Sequence, residues 1–448
     1  VNGTVYLGDF DAEKYWRDLD LIKLPSLEDQ GSAGIILAMD ELLFPFCQKE
    51  DVLITRFAFN PVLKAYLQTV GFEFKSNESD FQTEPAESQQ TICAIITGNA
   101  LKLAEFLKVI DGCRFFSSYA ILPGTELLAQ KAALQYPVPA WETVKKVNSK
   151  EYSMLLSKKL GCGSHGEIVH TSGELFQKGE QFLKKGDFLI KDCFGVSGKG
   201  NLLVRSVRVL KRIVKYLETW ENKGKTATFI IEQFLDKELD FSCGLIIKPD
   251  GQTVIISIQK ISNHQFAYGG SETAAAEFID FLSDKKYFNT LTALATELYQ
   301  AGYWGEVCVD SMLLKTGEIV PIIEINARIS MGFINKQLDS HLIKFGLKGN
   351  LMKLELGSAD TLVFADVLTK LQEKKVLFER GGESGIIPVS ANTLLINKKL
   401  AVNKAKGQIY KGRIYFSVLA QDATEKARLL QGLVVAFEAL ACKIYSKI

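Results

Sequence analysis

The chain has little of several things that would narrow its chemistry. Its 448 residues include four histidines, ten prolines and eight cysteines, and no two cysteines form a CxxC pair. Cys47, Cys93, Cys113, Cys162, Cys193, Cys243, Cys308 and Cys442 stand far apart, which excludes the usual zinc and redox-dithiol spacings. Most lie in apolar runs such as TICAII and EVCVD, where a thiol packs as a small hydrophobe, so reduced structural cysteines are expected. An excess of one charge is missing too: 53 Lys and Arg against 52 Asp and Glu leave a formal +1. No global field then favours nucleic acid or an anionic membrane, and neither is an expected partner. No stretch approaches the roughly 18 apolar residues of a membrane helix, and no basic segment followed by an apolar core opens the chain. A cytoplasmic protein is therefore expected. Internal repeats, low-complexity tracts and any Ser-His-Asp or Cys-His arrangement are absent as well.

What is present is a chain long enough for two or three packed units, 47% hydrophobic, with ordinary globular cores. From the N-terminus to about Tyr136, the strand-like runs TVYLG, AGIIL, DVLIT and TICAIITG mix with the helix-like NPVLKAYLQTVG and NALKLAEFLKVI. Such alternation implies a parallel sheet covered on both faces, with ligands bound at the strand ends. SNESDFQTEPAESQQ reads as a surface loop. Pro137 and Pro139 mark a break, after which Ser149 caps a helix striped by Tyr152, Leu155, Leu156 and Leu160. From about Gly186 the pattern turns strand-rich and antiparallel, with a hairpin at Lys248 to Gly251.

Two motifs carry most of the chemistry. KDCFGVSGKG, Lys191 to Gly200, sits between the strands FLIKD and NLLV, whereas a P-loop or a dinucleotide fingerprint needs a helix after its glycines. Lys199 is followed by Gly200, and Cys193 stands where Walker A needs glycine. A glycine loop between strands suits a flap over phosphates, with backbone amides as donors; a solvated glycine-rich hairpin is the plain alternative. In EINAR, period-2 alternation turns Glu324, Asn326 and Arg328 to one face and Ile325 and Ala327 to the other. With Asp310 on the neighbouring strand, that face offers hard oxygens to Mg²⁺ and a guanidinium to phosphate, unless its charges merely pair with one another. A third element, IIEQFL, ends apolar just before DKELD; it would give a purine its edge contacts, or it is simply a core strand.

Lys150, KDCFGVSGKG, IIEQFL, Val309-Asp310 and EINAR, in that order, resemble the ATP-grasp superfamily over roughly residues 145–334. The N-terminal unit resembles the pre-ATP-grasp domain. The resemblance implies an α/β and α+β protein: a pre-ATP-grasp domain (1–140), an ATP-grasp domain (141–341) whose lid (about 150–232) and metal-site subdomain (about 233–341) clamp ATP between antiparallel sheets, and a C-terminal αβ unit (342–448). It further implies that Lys150 and Lys191 contact phosphates, that Ser197, Gly198, Lys199 and Gly200 form the flap, and that Glu232, Gln233, Phe234 and Leu235 hold adenine. Glu238 and Asp240 are rival ribose ligands, because DKELDFS departs from the usual glycine before one acid. Asp310, Glu324 and Asn326 would hold one or two Mg²⁺ ions, or Mn²⁺, and Arg328 with Lys191 would meet the transferred phosphoryl group. His264, Tyr268, a Gly269-Gly270-Ser271 turn and Ser330 would face the second substrate.

The form implied is a carboxylate–amine ligase acting through an acyl phosphate, closest to stand-alone amino-acid or peptide ligases, although EINARISMGF lacks the proline common after this motif. Small-molecule carboxylate and amine substrates are expected, with a carrier protein or a homodimer allowed for. Loops at Gly385 to Val389 and Lys411 to Arg413 would border the substrate or serve dimerisation. A nucleotide-binding regulatory or scaffold protein, and a phosphotransferase to a non-carboxylate acceptor, remain open alternatives.

Overall fold

Strand β1 (Gly3–Leu7) buries alternate residues and lies between parallel neighbours β2 (Val52–Leu53) and β4 (Cys113–Ser118), with β3 (Lys75–Ser76) beyond β2. The computed structural model describes residues 2–25, 29–163, 166–195, 200–264, 267–401 and 407–446. Two runs expected as strands are helical instead: AGIIL lies in the helix Gln30–Leu37 and TICAII in the helix Ile92–Thr97. Asp29 accepts from Ser32 N at 3.1 Å and Thr91 Oγ1 from Ala94 N at 3.0 Å, so each run begins at a side-chain cap worth about 1 kcal/mol. A short apolar run does not by itself choose between buried strand and buried helix.

The second sheet is antiparallel. Its strands β5 (Gly166–Val169), β6 (Phe188–Asp192), β7 (Asn201–Val204) and β8 (Phe229–Gln233) run in the order β5-β8-β6-β7. The helices Ser172–Leu183 and Val207–Glu221 cover it with Leu175, Phe182, Leu210 and Leu217. Ile22 and Leu24 from the N-terminal unit complete this core. The same segment is fastened to the sheet by Ile22 N donating to Thr226 O at 2.9 Å and Arg17 Nη2 to Asp192 Oδ1 at 2.8 Å.

A third, antiparallel sheet takes β9 (Lys237–Ile247), β10 (Thr253–His264), β11 (Ala267–Thr273), β12 (Gly305–Leu314), β13 (Ile319–Asn326), β14 (Asn350–Ala359), β15 (Gly385–Pro388) and β16 (Ile409–Leu419). Among the described residues its order is β13-β12-β9-β10-β11-β14-β16-β15, with β17 (Lys443–Ile444) against β14. The sheet thus runs unbroken from β12 and β13 into residues 342–448.

Three loop expectations are corrected here. Gly269-Gly270-Ser271 lies within β11, not in a turn: a Cβ on Gly270 would come 2.8 Å from Leu351 O, so the glycine serves the close approach of β11 to β14. Gly385 to Pro388 form the buried strand β15, and Lys411 to Arg413 lie in β16. The helix Met331–Leu342 crosses one face of this sheet, with Asn335 Nδ2 donating to Gln259 Oε1 (2.9 Å) and Asp339 Oδ2 accepting from Thr273 Oγ1 (2.6 Å). Among the described residues, no helix is long and apolar enough to cross a membrane.

Candidate active site

The end of β13 is pinned from behind. Ser153 Oγ accepts from Ile325 N at 3.0 Å and Asn148 Oδ1 from Ala327 N at 2.8 Å, while Ile325 and Ala327 are 0% and 2% exposed. With that face fixed, the alternation of EINAR turns Glu324, Asn326 and Arg328 the other way. Asp310 of β12 stands opposite Glu324 in the antiparallel register. Asn326 joins the group by donating through Nδ2 to Asp310 Oδ2 (3.0 Å) and accepting at Oδ1 from Arg328 Nη2 (3.0 Å).

The charges are paired unevenly. Lys150, at the start of the helix Lys150–Lys159 capped by Ser149, donates to Glu324 Oε1 at 2.5 Å and to Gly195 O at 2.9 Å. Burial opposes its charge, but Glu324 more than offsets that and holds the ammonium above its ordinary pKa. Arg328 spends Nε (3.1 Å) and Nη2 (2.5 Å) on Glu13 Oε1, and Nη1 on the Tyr119 hydroxyl (3.4 Å). Asp310 is bonded instead to the Asn326 amide and, at 3.9 Å, to the Cys308 thiol. Burial first, then the Glu324 charge, push Asp310 up to about 7, against the pull of Arg328 and Lys150. Two facing carboxylates, one of them proton-hungry, are what a divalent cation relieves. Among the described residues no group of three or more His, Cys, Asp or Glu offers a complete metal shell, so an ion at this pair would need oxygens from a bound phosphate.

The second sheet carries the other lysine of the set. Lys191 of β6 is ion-paired with Glu232 of β8, and both side chains are largely buried. β6 and β7 pair antiparallel, Lys191 opposite Asn201, and Asp192 N donates to Gly200 O at 2.8 Å. The glycine motif therefore joins two strands. Gly200 has φ +105° and would place a Cβ 3.0 Å from Asp192 Cβ, so the base of this hairpin requires glycine. Ser197, Gly198 and Lys199 lie outside the described residues.

The remaining candidates are placed as follows. Gln233 Nε2 and Phe234 N both donate to Asp187 O, at 2.7 and 2.9 Å; Phe234 is exposed and Leu235 half-buried where β8 leads toward β9. Asp240 is two residues from Ser242, the residue opposite Asp310, and so shares that face; it bonds Lys237 and, at 2.6 Å, Asn263 Nδ2. Glu238, one step nearer the strand end, is exposed. The Tyr268 and Ser271 hydroxyls are 2.9 Å apart and both residues lie on β11 beside Gly269. His264 closes β10 in the backbone, its side chain lying outside the described residues. Ser330 is buried at the N-cap position of the helix Met331–Leu342.

Sequence reasoning missed Glu13 and Tyr119. Both follow strands of the parallel sheet, β1 and β4, and the rule that ligands gather at the carboxyl ends of such strands was the available signal.

No model of a known protein family matches the chain. A curated relative, the [butirosin acyl-carrier protein]–L-glutamate ligase of Niallia circulans, is 24% identical over 228 residues, 47% of this chain and 52% of that protein; the match spans about half the relative's length. Among solved structures, N5-carboxyaminoimidazole synthetase from Staphylococcus aureus complexed with ADP matches over 98% of both chains, with a TM-score of 0.51 and 11% identity. The biotin carboxylase domain of the Hydrogenobacter thermophilus 2-oxoglutarate carboxylase, solved as a dimer with MgADP, ADP and bicarbonate, matches over 93% of this chain and 86% of its own, with a TM-score of 0.51 and 12% identity. By fold the chain is similar to these synthetase and carboxylase structures.

Proposed function

We propose that the protein is an ATP-dependent ligase that joins a carboxylate to an amine. The observation that carries this reading is the single face bearing Asp310, Glu324, Asn326 and Arg328, with Lys150 ion-paired to Glu324. A divalent cation held by Asp310, Glu324 and the Asn326 oxygen would supply charge neutralisation to the phosphates. The lysines would trade their carboxylate partners for phosphate oxygens, and Arg328 would present a planar fork to the transferred group.

In the first step a substrate carboxylate oxygen attacks the γ-phosphorus in line. The bond to the β–γ bridging oxygen breaks, and ADP leaves. In the second, an amine nitrogen forms a bond to the acyl carbon, the bond from that carbon to the phosphate-bearing oxygen breaks, inorganic phosphate departs, and the amine proton passes to water. Neither step needs a nucleophilic side chain; the work is positioning and electrostatics. The name of the Niallia relative supports an amino acid as one substrate and a carrier protein as the bearer of the other.

ADP release across a panel of amino acids, with hydroxylamine present, tests the proposal. A hydroxamate and acceptor-dependent ADP are expected; nucleotide binding with no acceptor-dependent ADP would sink it. For Lys191→Ala, a rise of about 10- to 100-fold in the apparent ATP requirement is expected, the scale of one charge-assisted hydrogen bond, because Glu232 would then face the phosphates uncompensated. Unchanged ATP dependence would place Lys191 outside the nucleotide site.

A further inference from the structure

The C-terminal half of the third sheet carries a cluster of cations that the proposed chemistry does not use. Lys353 and Glu355 alternate on β14, and opposite them on β16 stand Tyr415 and Arg413. Glu355 Oε1 accepts from Arg413 Nη2 at 2.7 Å and from Lys353 Nζ at 3.0 Å, and its other oxygen is 3.9 Å from Lys411 Nζ. Lys411 also pairs with Asp29 at 2.5 Å. Three cations thus meet two carboxylates. Arg413 Nε is buried and has no hydrogen-bond partner among the described residues. Burial and the Arg413 charge lower the Lys353 pKa below its ordinary value even with Glu355 in contact, as expected where positive charge is in excess.

The pairing register puts this cluster on the same side of the sheet as the metal-motif carboxylates. Asp310 stands opposite Ser242, Ser242 opposite Gln259, and Gln259 opposite Thr273. Two residues along β11 from Thr273, Ser271 stands opposite Leu351, and two residues along β14 from there is Lys353. Residues directly opposed, or separated by two along a strand, share a face. Tyr415 accepts from Arg413 Nη1 at 3.0 Å.

We infer that Lys353, Arg413 and Lys411 form a subsite for a second anionic oxygen group on the substrate, remote from the carboxylate being activated, with Glu355 as an internal counter-ion that the group displaces or shares. The inference rests on the ligase reading for its placement but makes a binding claim of its own. The anion is either a distal carboxylate, as in a dicarboxylic amino acid, or a phosphate ester, and both offer planar or clustered oxygens to a guanidinium.

Two measurements test it. Binding of glutarate, glutaramide and inorganic phosphate, followed by calorimetry, needs no turnover: the dianions should bind at least about tenfold tighter than the diamide, and Lys353→Met should remove about 10- to 100-fold of that preference. Glu355→Gln should tighten dianion binding, because a competing carboxylate is gone; weakening by both variants would identify a purely structural network and overturn the subsite. Acceptor-dependent ADP release with glutamate, glutamine and O-phosphoserine then separates the sources. Lys353→Met should raise KM for the anionic substrates alone, leaving kcat and the ATP requirement unchanged, and equal effects on glutamine would also overturn it. If dianions bind as described while no acceptor yields ADP, the ligase proposal falls and the subsite stands. If neutral amino acids yield ADP and dianions show no preference, the reverse holds.

Discussion

Glu324→Gln should lower acceptor-dependent ADP formation at least about 100-fold, the order found when one preorganised charge-stabilising group is removed. The substitution is close to isosteric, and the amide oxygen occupies the place of the carboxylate oxygen that now accepts from Lys150 Nζ at 2.5 Å. Lys150 also keeps Gly195 O at 2.9 Å, so it is not left buried without partners. Glu324 is itself 24% exposed, which further limits the loss of stability, and the melting temperature should stay within a few degrees of wild type. What disappears is one of the two negative charges that face each other across β12 and β13. A lone Asp310 carboxylate would hold a divalent cation far more weakly, so the apparent Mg²⁺ requirement should rise together with the fall in turnover. ADP release measured over a Mg²⁺ series checks this. Turnover near wild type would remove Glu324 from ion binding, and a fall in stability matching the loss of activity would make the pair with Lys150 structural.

The part of this site that was legible in the sequence is the part set by local periodicity. EINAR alternates, and the structure buries Ile325 and Ala327 while linking Asn326 to Asp310 and Arg328. The glycine motif lies between two apolar strands, and those strands pair as a hairpin. Legibility ends where a residue's role depends on partners distant in the chain. Glu13 and Tyr119 reach Arg328 across 315 and 209 residues, a separation about which neither pattern nor propensity carries information.

The same holds for composition without context. Gly269-Gly270 has the make-up of a turn, yet close packing of β11 on β14 explains it. AGIIL and TICAII have the make-up of strands, yet Asp29 and Thr91 cap them into helices. Lys353, Glu355, Lys411 and Arg413 alternate along two strands with ordinary surface composition; only the register that sets β14 beside β16 gathers them into one cluster.

Arg328→Ala is expected to be the most damaging single change, and its effect should divide into two separable parts. The guanidinium is the bonded partner of Glu13 Oε1, and the side chains are 11% and 6% exposed. Among the described residues the other oxygen of Glu13 has no hydrogen-bond partner. Removing the arginine leaves a buried carboxylate uncompensated, which costs about 3–5 kcal/mol when one partner of a buried pair is lost. Adding Glu13→Gln should return most of that stability, since a neutral amide tolerates the site far better than a stranded charge. Activity should behave differently. If Arg328 meets the transferred phosphoryl group, the double variant should unfold near the wild-type temperature and still form ADP at least about 100-fold more slowly. Arg328→Lys should fall on the same side, because an ammonium keeps the charge but cannot reproduce the fork that now spans Glu13, Asn326 and Tyr119. Thermal melts and ADP release on the four members of the cycle provide the test. Recovery of both stability and turnover in the double variant would reduce Arg328 to a structural partner of Glu13 and take it out of the proposed chemistry.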